Sequence, residues 1–407
     1  MTSTIPLLIT GLLSLLVTLS AYTQDAGDHL PSHPYHTLRG GLDQSRMAFE
    51  QTKHGRVAFL GGSITYNGGW RDSTCQYLRR RFPDTRFDFI AAGIPSMGST
   101  PGAFRLERDV LSQGPVDLLF VEAAVNDATN GRTDTEQIRA MEGIIRHLRR
   151  DNPAADILIM HFVDPDKMAA YRRGNVPAVI RNHERVATHY DLPTINLARE
   201  VTERIDAGEF SWEDDFKDLH PSPFGQGVYA RSMIEFLKQA WDGKAKFPAT
   251  PHSLPTTIDP ANYSHGKLVD VRQADFDELW EYISDWAPTD GKATRPNYVE
   301  VPMLVARKAG AELSFHFTGN AVGIAVAAGP DAGVLSYRID EGPWQEQDLY
   351  TRWSGQLHLP WYYTLAAGLD EGRHTLALRL EAVSGQGQRT GNACRIRYFF
   401  VNESPLR

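Results

Sequence analysis

The sequence predicts an α/β domain built on a mostly parallel sheet, followed by a smaller all-β sandwich. Three observations carry that reading. From about residue 55 to residue 240, short apolar runs alternate with helical patterns, and such alternation needs crossover connections between strands. A proline-rich stretch then breaks the pattern, with Pro248, Pro251, Pro255 and Pro260 close together. Beyond residue 266 the chain turns to short alternating runs separated by Gly, Asp and Asn, the pattern of a sandwich.

The elements of the first domain follow in order. Residues 57–60 form a strand ending in Gly61-Gly62-Ser63. Residues 70–82 read as a helix, with Cys75, Leu78 and Phe82 at helical spacing. Further strands are expected over 87–92, 116–124, 157–162 and 192–197. An amphipathic helix over 135–150 carries Ile138, Met141, Ile145 and Leu148 on one face, and residues 225–241 form a closing helix. In the second domain, strands are expected over 312–317, 322–326, 335–339, 374–380 and 396–401. Residues 276–286 read as a helix packed on the side. The domain boundaries are therefore 40–243 and 266–407, with a linker or strap over 244–265 between them.

Composition narrows the class. The 407 residues are 42% hydrophobic and 23% charged, which excludes disorder and collagen-like repetition. Lys and Arg number 42 against 50 Asp and Glu, a net charge of -8. That balance repels nucleic acid phosphates, and the nearest basic run, Arg79-Arg80-Arg81, reads as one exposed helix face. No nucleic acid partner is expected. Residues 5–19 are apolar and uncharged, and small and polar residues follow. This run is short for a membrane span and suits a signal peptide over residues 1–23. A secreted or periplasmic protein without an integral membrane span after cleavage is expected; the lack of Lys and Arg before the run leaves an uncleaved anchor as the alternative. The two cysteines, Cys75 and Cys394, make neither a disulfide framework nor a zinc site, and C-x-x-C and H-E-x-x-H are absent. They are free buried thiols or a single bridge.

Four blocks carry candidate chemistry. Gly61-Gly62-Ser63-Ile64-Thr65 places a serine between a strand and a helix, where backbone N–H groups are exposed and can hold an oxyanion. The same block also suits a phosphate-binding or purely structural turn. Ala92-Gly93-Ile94-Pro95-Ser96-Met97-Gly98-Ser99 is a small-residue loop with exposed backbone. Val125-Asn126-Asp127 brings an amide side chain to the same sheet edge, and Asp218-Leu219-His220-Pro221 precedes the closing helix. A nucleophile needs a base within reach, and a tetrahedral intermediate needs donors aimed at its oxygen. Ser63, His220, the Gly98 N–H and the Asn126 amide can supply both, with Gly93 the alternative to Gly98. Ser96 and Ser99 read more readily as turn formers than as nucleophiles, His161 as a satisfied core or edge histidine more than as a second base, and Glu122 as an inward-facing structural carboxylate or a buried carboxylate near the site. Tyr66 and Trp70 are candidates to line the substrate pocket or to pack the first helix.

The order GGSIT, GIPSMGS, VND and DLHP resembles the SGNH (GDSL-type) hydrolases, over roughly residues 55 to 240. The resemblance implies a flavodoxin-like sheet, Ser63 as nucleophile, His220 as general base, and an oxyanion hole from Ser63, Gly98 and Asn126. It implies no metal and no organic cofactor. The family's aspartate three residues before the histidine is replaced here by Lys217. Asp218 is the candidate to orient His220; otherwise the site is a Ser–His dyad. Asp214 and Asp215 stand further upstream.

The region from Asp290 to Asn402 resembles the jelly-roll sandwiches that accompany SGNH domains in carbohydrate esterases. The combination implies removal of O-acetyl groups from an acetylated polysaccharide or oligosaccharide, of the acetylxylan or xyloglucan kind. Trp344, Trp353, Trp361, Tyr362 and Tyr363 are candidates to stack on sugar rings or to fill the core. The alternatives are a general lipase-like esterase of the same fold, or a glycan-binding protein without catalysis.

Overall fold

The computed structural model describes residues 29–243, 250–383 and 389–403. The expected signal peptide and the first residues of the linker lie outside them. No helix among the described residues is long and apolar enough to cross a membrane.

The first sheet contains β1 (His36–Thr37), β2 (His54–Gly61), β3 (Arg86–Gly93), β4 (Leu118–Glu122), β5 (Asp156–Met160) and β6 (Thr194–Ile195), in the order β1-β6-β5-β4-β2-β3. All neighbours are parallel except β1, which lies antiparallel to β6 at one edge. Leaving β1 aside, the strands take the 2-1-3-4-5 order of a flavodoxin-like sheet, with the topological switch between β2 and β4. The helices in chain order are α1 (Asp43–Thr52), α2 (Ser63–Tyr66), α3 (Trp70–Arg81), α4 (Ser99–Asp109), α5 (Ala124–Thr129), α6 (Asp134–Asp151), α7 (Pro165–Arg172), α8 (Ala178–His189), α9 (Leu197–Asp206) and α10 (Pro223–Ala240).

Period-two alternation sorts the strand residues into two layers. Val57, Phe59, Leu118, Phe120, Leu158 and Met160 pack toward one face with Trp70, Leu78 and Phe236. Ala58, Leu60, Leu119, Val121, Ile157 and Ile159 face the other way, toward Phe104, Met141, Ile145 and Val186. α6 starts at a capping box in which the Thr133 hydroxyl accepts the Glu136 N–H and the Glu136 carboxylate accepts the Thr133 N–H, both at 3.2 Å.

The second region is all β. Its strands are β7 (Gly266–Val269), β8 (Asp275–Phe276), β9 (Trp280–Trp286), β10 (Ala293–Thr294), β11 (Val301–Ala306), β12 (Glu312–Thr318), β13 (Ala321–Ala328), β14 (Val334–Ile339), β15 (Gln345–Asp348), β16 (Leu357–Ala367), β17 (Arg373–Leu380) and β18 (Cys394–Asn402). One sheet runs β10-β16-β13-β18-β11-β9, with β7 also on β18, and the other runs β15-β14-β17-β12-β8. Phe315, Leu335, Leu376, Leu378 and Phe399 fill the space between them.

The helix expected over 276–286 is instead β8 and β9. Trp280, Ile283 and Trp286 are three apart, which imitates a helical stripe. The register between β9 and β11 shifts between Val301 and Met303, so a bulge between Ile283 and Trp286 resets the phase of the strand. Trp280 thereby packs into the sandwich, while Ile283 and Trp286 join the layer facing the α/β domain. The loop expected to expose its backbone at residues 92–99 is also mostly buried, and it leads into α4, whose residues from Ser99 to Leu106 are all buried.

α4 is buried because the sandwich covers it. The Phe104 ring centroid lies 4.4 Å from that of Phe400 on β18 and 4.8 Å from that of Tyr263. The strap leading into β7 is docked on α6. Glu142 accepts the N–H groups of Ile258 and Asp259 at 2.6 and 2.9 Å, and the Arg146 guanidinium donates to the Pro255 carbonyl at 2.8 Å. Gly143 makes room, since a Cβ there would stand 2.7 Å from the Tyr263 carbonyl carbon. Cys75 on α3 and Cys394 on β18 are both buried and free, so no bridge links them.

One apolar layer thus joins the two regions. Phe400→Ala is expected to cost about 3 to 5 kcal/mol, the usual cost of emptying a buried phenylalanine site. Chemical denaturation measures it, and a loss below about 1 kcal/mol would contradict the seam's role.

Candidate active site

β2 ends at Gly61, Gly62 caps the short helix α2, and Ser63 opens it. Across the switch point β4 ends at Glu122, and α5 carries Asn126 and Asp127. The turn glycines are explained by what the neighbouring strand and helix insert. A Cβ at Gly61 would lie 2.4 Å from Glu122 Oε1, and a Cβ at Gly62 would lie 2.0 Å from Asn126 Oδ1. Real Cβ atoms do not approach that closely, so the polar side chains of β4 and α5 fit only against glycine. A Cβ at Gly98 would likewise meet Asp127 Oδ1 at 2.1 Å.

Asp127, fully buried, holds the second loop. Its Oδ1 accepts the Ser99 N–H at 2.8 Å, and its Oδ2 lies 3.0 Å from Nε2 of the fully buried His183. The Asn130 amide donates to the Ser96 carbonyl at 2.9 Å, and Ser96 itself has a positive φ of 71°. Gly98 is therefore fixed at the start of α4, with Ser99 and Thr100 buried beside it. Gly93 serves a different contact. A Cβ there would meet the Tyr66 backbone N at 2.4 Å, so this glycine lets β3 pack against α2.

His220 arrives from the segment before α10, which Ser222 caps by accepting the Gly225 N–H at 3.3 Å, with Pro223 in the first turn. His220 Nε2 lies 2.7 Å from Ser63 Oγ. Asp218 binds differently from an orienting carboxylate. Its Oδ1 accepts the His220 backbone N–H at 2.5 Å and stands 3.7 Å from Nδ1, beyond hydrogen-bond distance. Asp214 and Asp215 are engaged within their own turn, where Ser211 Oγ accepts the Asp214 N–H and Asp215 accepts the Ser211 N–H. Lys217, exposed and with a φ of 84°, closes that turn by donating its N–H to the Trp212 carbonyl. Among the described residues the carboxylate nearest the His220 ring is that of Asp218, and it holds the His220 backbone and not Nδ1.

Ser63, Asn126 and His220 open into a cavity of about 460 Å³. Its far wall comes from the β region: Arg295, Arg352, Trp353, Gln356, Leu357 and Leu359. The Arg352 guanidinium lies over the Trp353 ring, 4.7 Å from its centroid, and donates to the Thr129 carbonyl at 2.9 Å. Ser354 anchors the same loop, accepting the Thr351 N–H at 2.9 Å and donating to the Ala328 carbonyl at 3.2 Å.

Other candidates fall elsewhere. Trp70 is 0% exposed and packs edge-on to Phe59, with ring centroids 5.6 Å apart, so it belongs to the core and not to a substrate pocket. Tyr66 is exposed but does not line the cavity. His161 is buried, 2.9 Å from Glu184. Tyr362 fills the seam, and Trp344 lies on the outer sandwich sheet between Arg338 and Arg379. Sequence reasoning missed Arg295, Arg352 and Gln356, for which no local motif exists. For Glu122 the sequence left open a buried carboxylate near the site and an inward-facing structural group, and the structure places it at the end of β4 beside the serine turn.

Burial lowers the pKa of His220 below the ordinary 6.5; Asp218 opposes that shift, and the Arg295 charge adds to it. Glu122 goes the other way, pushed up to about 7 by full burial.

Residues 59–228 match the model of the GDSL-like Lipase/Acylhydrolase family. No curated protein matches the chain in sequence. Among solved structures, a two-domain esterase (CEX) active on acetylated mannans superposes with a TM-score of 0.73 at 19% identity, covering 92% of this chain and 100% of that one. The same esterase co-crystallised with mannopentaose gives 0.72 at 19% identity, covering 92% and 99%. The shared fold therefore includes both regions.

With His220 in the role of a general base, which must be neutral, turnover is expected to be lost as pH falls through its folded-state pKa. The acidic limb of kcat/KM on a small ester is expected below pH 6.5, and Arg295→Gln is expected to move it upward. A limb at or above that value, or one that Arg295→Gln leaves in place, would contradict this electrostatic picture.

Proposed function

We propose that this chain, whose residues 59–228 match the GDSL-like Lipase/Acylhydrolase family model, is a carboxylic ester hydrolase whose substrate is an O-acetylated polysaccharide or oligosaccharide. The observation that carries this reading is the shared cavity: the dyad opens into a space that the β region closes with Trp353, Arg352, Arg295 and Gln356. A tryptophan with the hydrogen-bond donors of Arg352, Arg295 and Gln356 beside it suits a sugar ring. The likeness in fold to an esterase active on acetylated mannans supports the same substrate class and adds mannan to acetylxylan and xyloglucan as candidate polymers.

The mechanism assigned to the site is acyl transfer. Neutral His220 takes the proton from Ser63 Oγ as the oxygen attacks the acetyl carbonyl. The carbonyl oxygen, now an anion, is held by the Ser63 N–H, the Gly98 N–H and the Asn126 amide. As the C–O bond to the sugar breaks, the His220 imidazolium returns its proton to the leaving alkoxide. Water then attacks the acetyl-serine, giving its proton to His220, and the ester bond to Ser63 breaks to release acetate and restore the dyad. The cycle closes with these groups alone. With no carboxylate on Nδ1 among the described residues, the histidine is held through its backbone, and Asp218 contributes mainly its charge.

A secreted or periplasmic location accords with a polymer substrate and with the apolar run at residues 5–19.

Acetate release from acetylated mannan, xylan and xyloglucan, with Ser63→Ala in parallel, tests the proposal. Release from at least one polymer by the wild type and none by the variant is expected. Turnover of a small aryl acetate without release from any polymer would leave a general esterase and overturn the polysaccharide reading.

A further inference from the structure

The carboxylate of Glu122 is an unusual occupant of its place. It ends a strand whose residues are all buried, and it is itself 2% exposed. No cation pairs with it among the described residues: the Lys167 ammonium is engaged by Asp164. A side chain that merely filled this space would be apolar, because burying an unpaired carboxylate is costly. What the carboxylate does instead is bind the serine turn. Oε1 accepts the Gly62 N–H at 2.6 Å and the Thr65 hydroxyl at 3.0 Å, and so grips the residues on both sides of Ser63. Gly61 lets it in, since a Cβ at that position would stand 2.4 Å from both Glu122 Oε1 and Thr65 Oγ1.

We propose that Glu122 is a positioning residue for the nucleophile, fixing through the Gly62 N–H and the Thr65 hydroxyl the turn that aims Ser63 at His220. Gly62 is also the residue against which Asn126 Oδ1 packs, so one acceptor sets both the serine and its distance from the oxyanion donor. Without that acceptor the buried Gly62 N–H has no partner and the turn rotates to find one. A displacement of about 1 Å at a reacting group is enough to lower turnover as much as 10²-fold.

The inference rests on Ser63 being the nucleophile, and the experiment separates the two. Kinetics on a small aryl acetate are measured for Glu122→Ala, Glu122→Gln, Gly61→Ala and the Gly61→Ala/Glu122→Ala pair, with Ser63→Ala alongside. Glu122→Ala is expected to lose about tenfold or more in kcat while KM moves less than about twofold. Glu122→Gln keeps the Oε1 acceptor and is expected to retain kcat within about threefold. Gly61→Ala is expected to copy the loss by pushing the carboxylate aside, and to cost less in the Glu122→Ala background than alone, since only its contact with Thr65 Oγ1 then remains. If Glu122→Ala fails to fold, Thr65→Val removes one of the two donors and is expected to lower kcat severalfold. Wild-type kcat in folded Glu122→Ala or Thr65→Val, or equal losses in the Gln and Ala variants, would overturn the inference while Ser63→Ala remains silent. Activity in Ser63→Ala would overturn the nucleophile assignment and this inference with it.

Discussion

β2 and β4 lie side by side and parallel, with Leu60 opposite Val121, and both end at the same edge of the sheet. The candidate site depends on that adjacency. A parallel sheet places the chain reversals of its strands on one side, and at a topological switch point two of them diverge to leave a crevice. Here the divergence sets the serine turn against the Asn126–Asp127 turn. Glycine is then needed wherever a polar side chain is inserted from across the crevice: Gly61 against Glu122, Gly62 against Asn126, Gly98 against Asp127. The glycines are hollows shaped to oxygen atoms, and flexibility is not what they contribute, since none of the three has a positive φ.

The sandwich acts on this crevice in two ways. It buries α4 through Phe400, beside Tyr263 of the strap, which holds the loop before Ser99 from one side while Asp127 holds it from the other. It also supplies a wall of the cavity, on a loop tied down by Ser354 and joined to α5 through Arg352. The electrostatics follow from the same enclosure. Partial burial disfavours charge on His220, whose side chain stays 45% exposed, and Arg295 of the β region adds to that effect, so the imidazole stays in the form a base requires at lower pH than a free histidine would.

Much of the fold was legible because it rests on local periodicity. Alternating strands and helices require a parallel sheet, and the position of each block at a strand end brings the blocks together whatever lies between them. Residues 276–286 misled because a bulge spaced Trp280, Ile283 and Trp286 like a helix, and only pairing with β11 reveals it. Trp70 looked available because it follows the serine closely, yet helix phase turns it into the core. Asp218 could not be judged from its spacing: a carboxylate two residues ahead of a histidine can reach the backbone N–H or the ring, and here it takes the N–H. The β-region wall was illegible for a deeper reason. Trp353 was a candidate to stack on sugar rings, but Arg295, Arg352 and Gln356 stand far from Ser63 in sequence, and no local pattern encodes the docking of one domain on another.

The central claim is that Ser63 carries the acyl group between substrate and water. Rapid acid quenching of the enzyme during turnover of an acetyl ester, followed by peptide mass spectrometry, tests it directly. An acetyl group is expected on the peptide containing Ser63, localised to that residue and absent from His220→Ala, where the hydroxyl has no base. An unmodified Ser63 peptide during active turnover, or an acetyl group found on Ser96 or Ser99 instead, would contradict it.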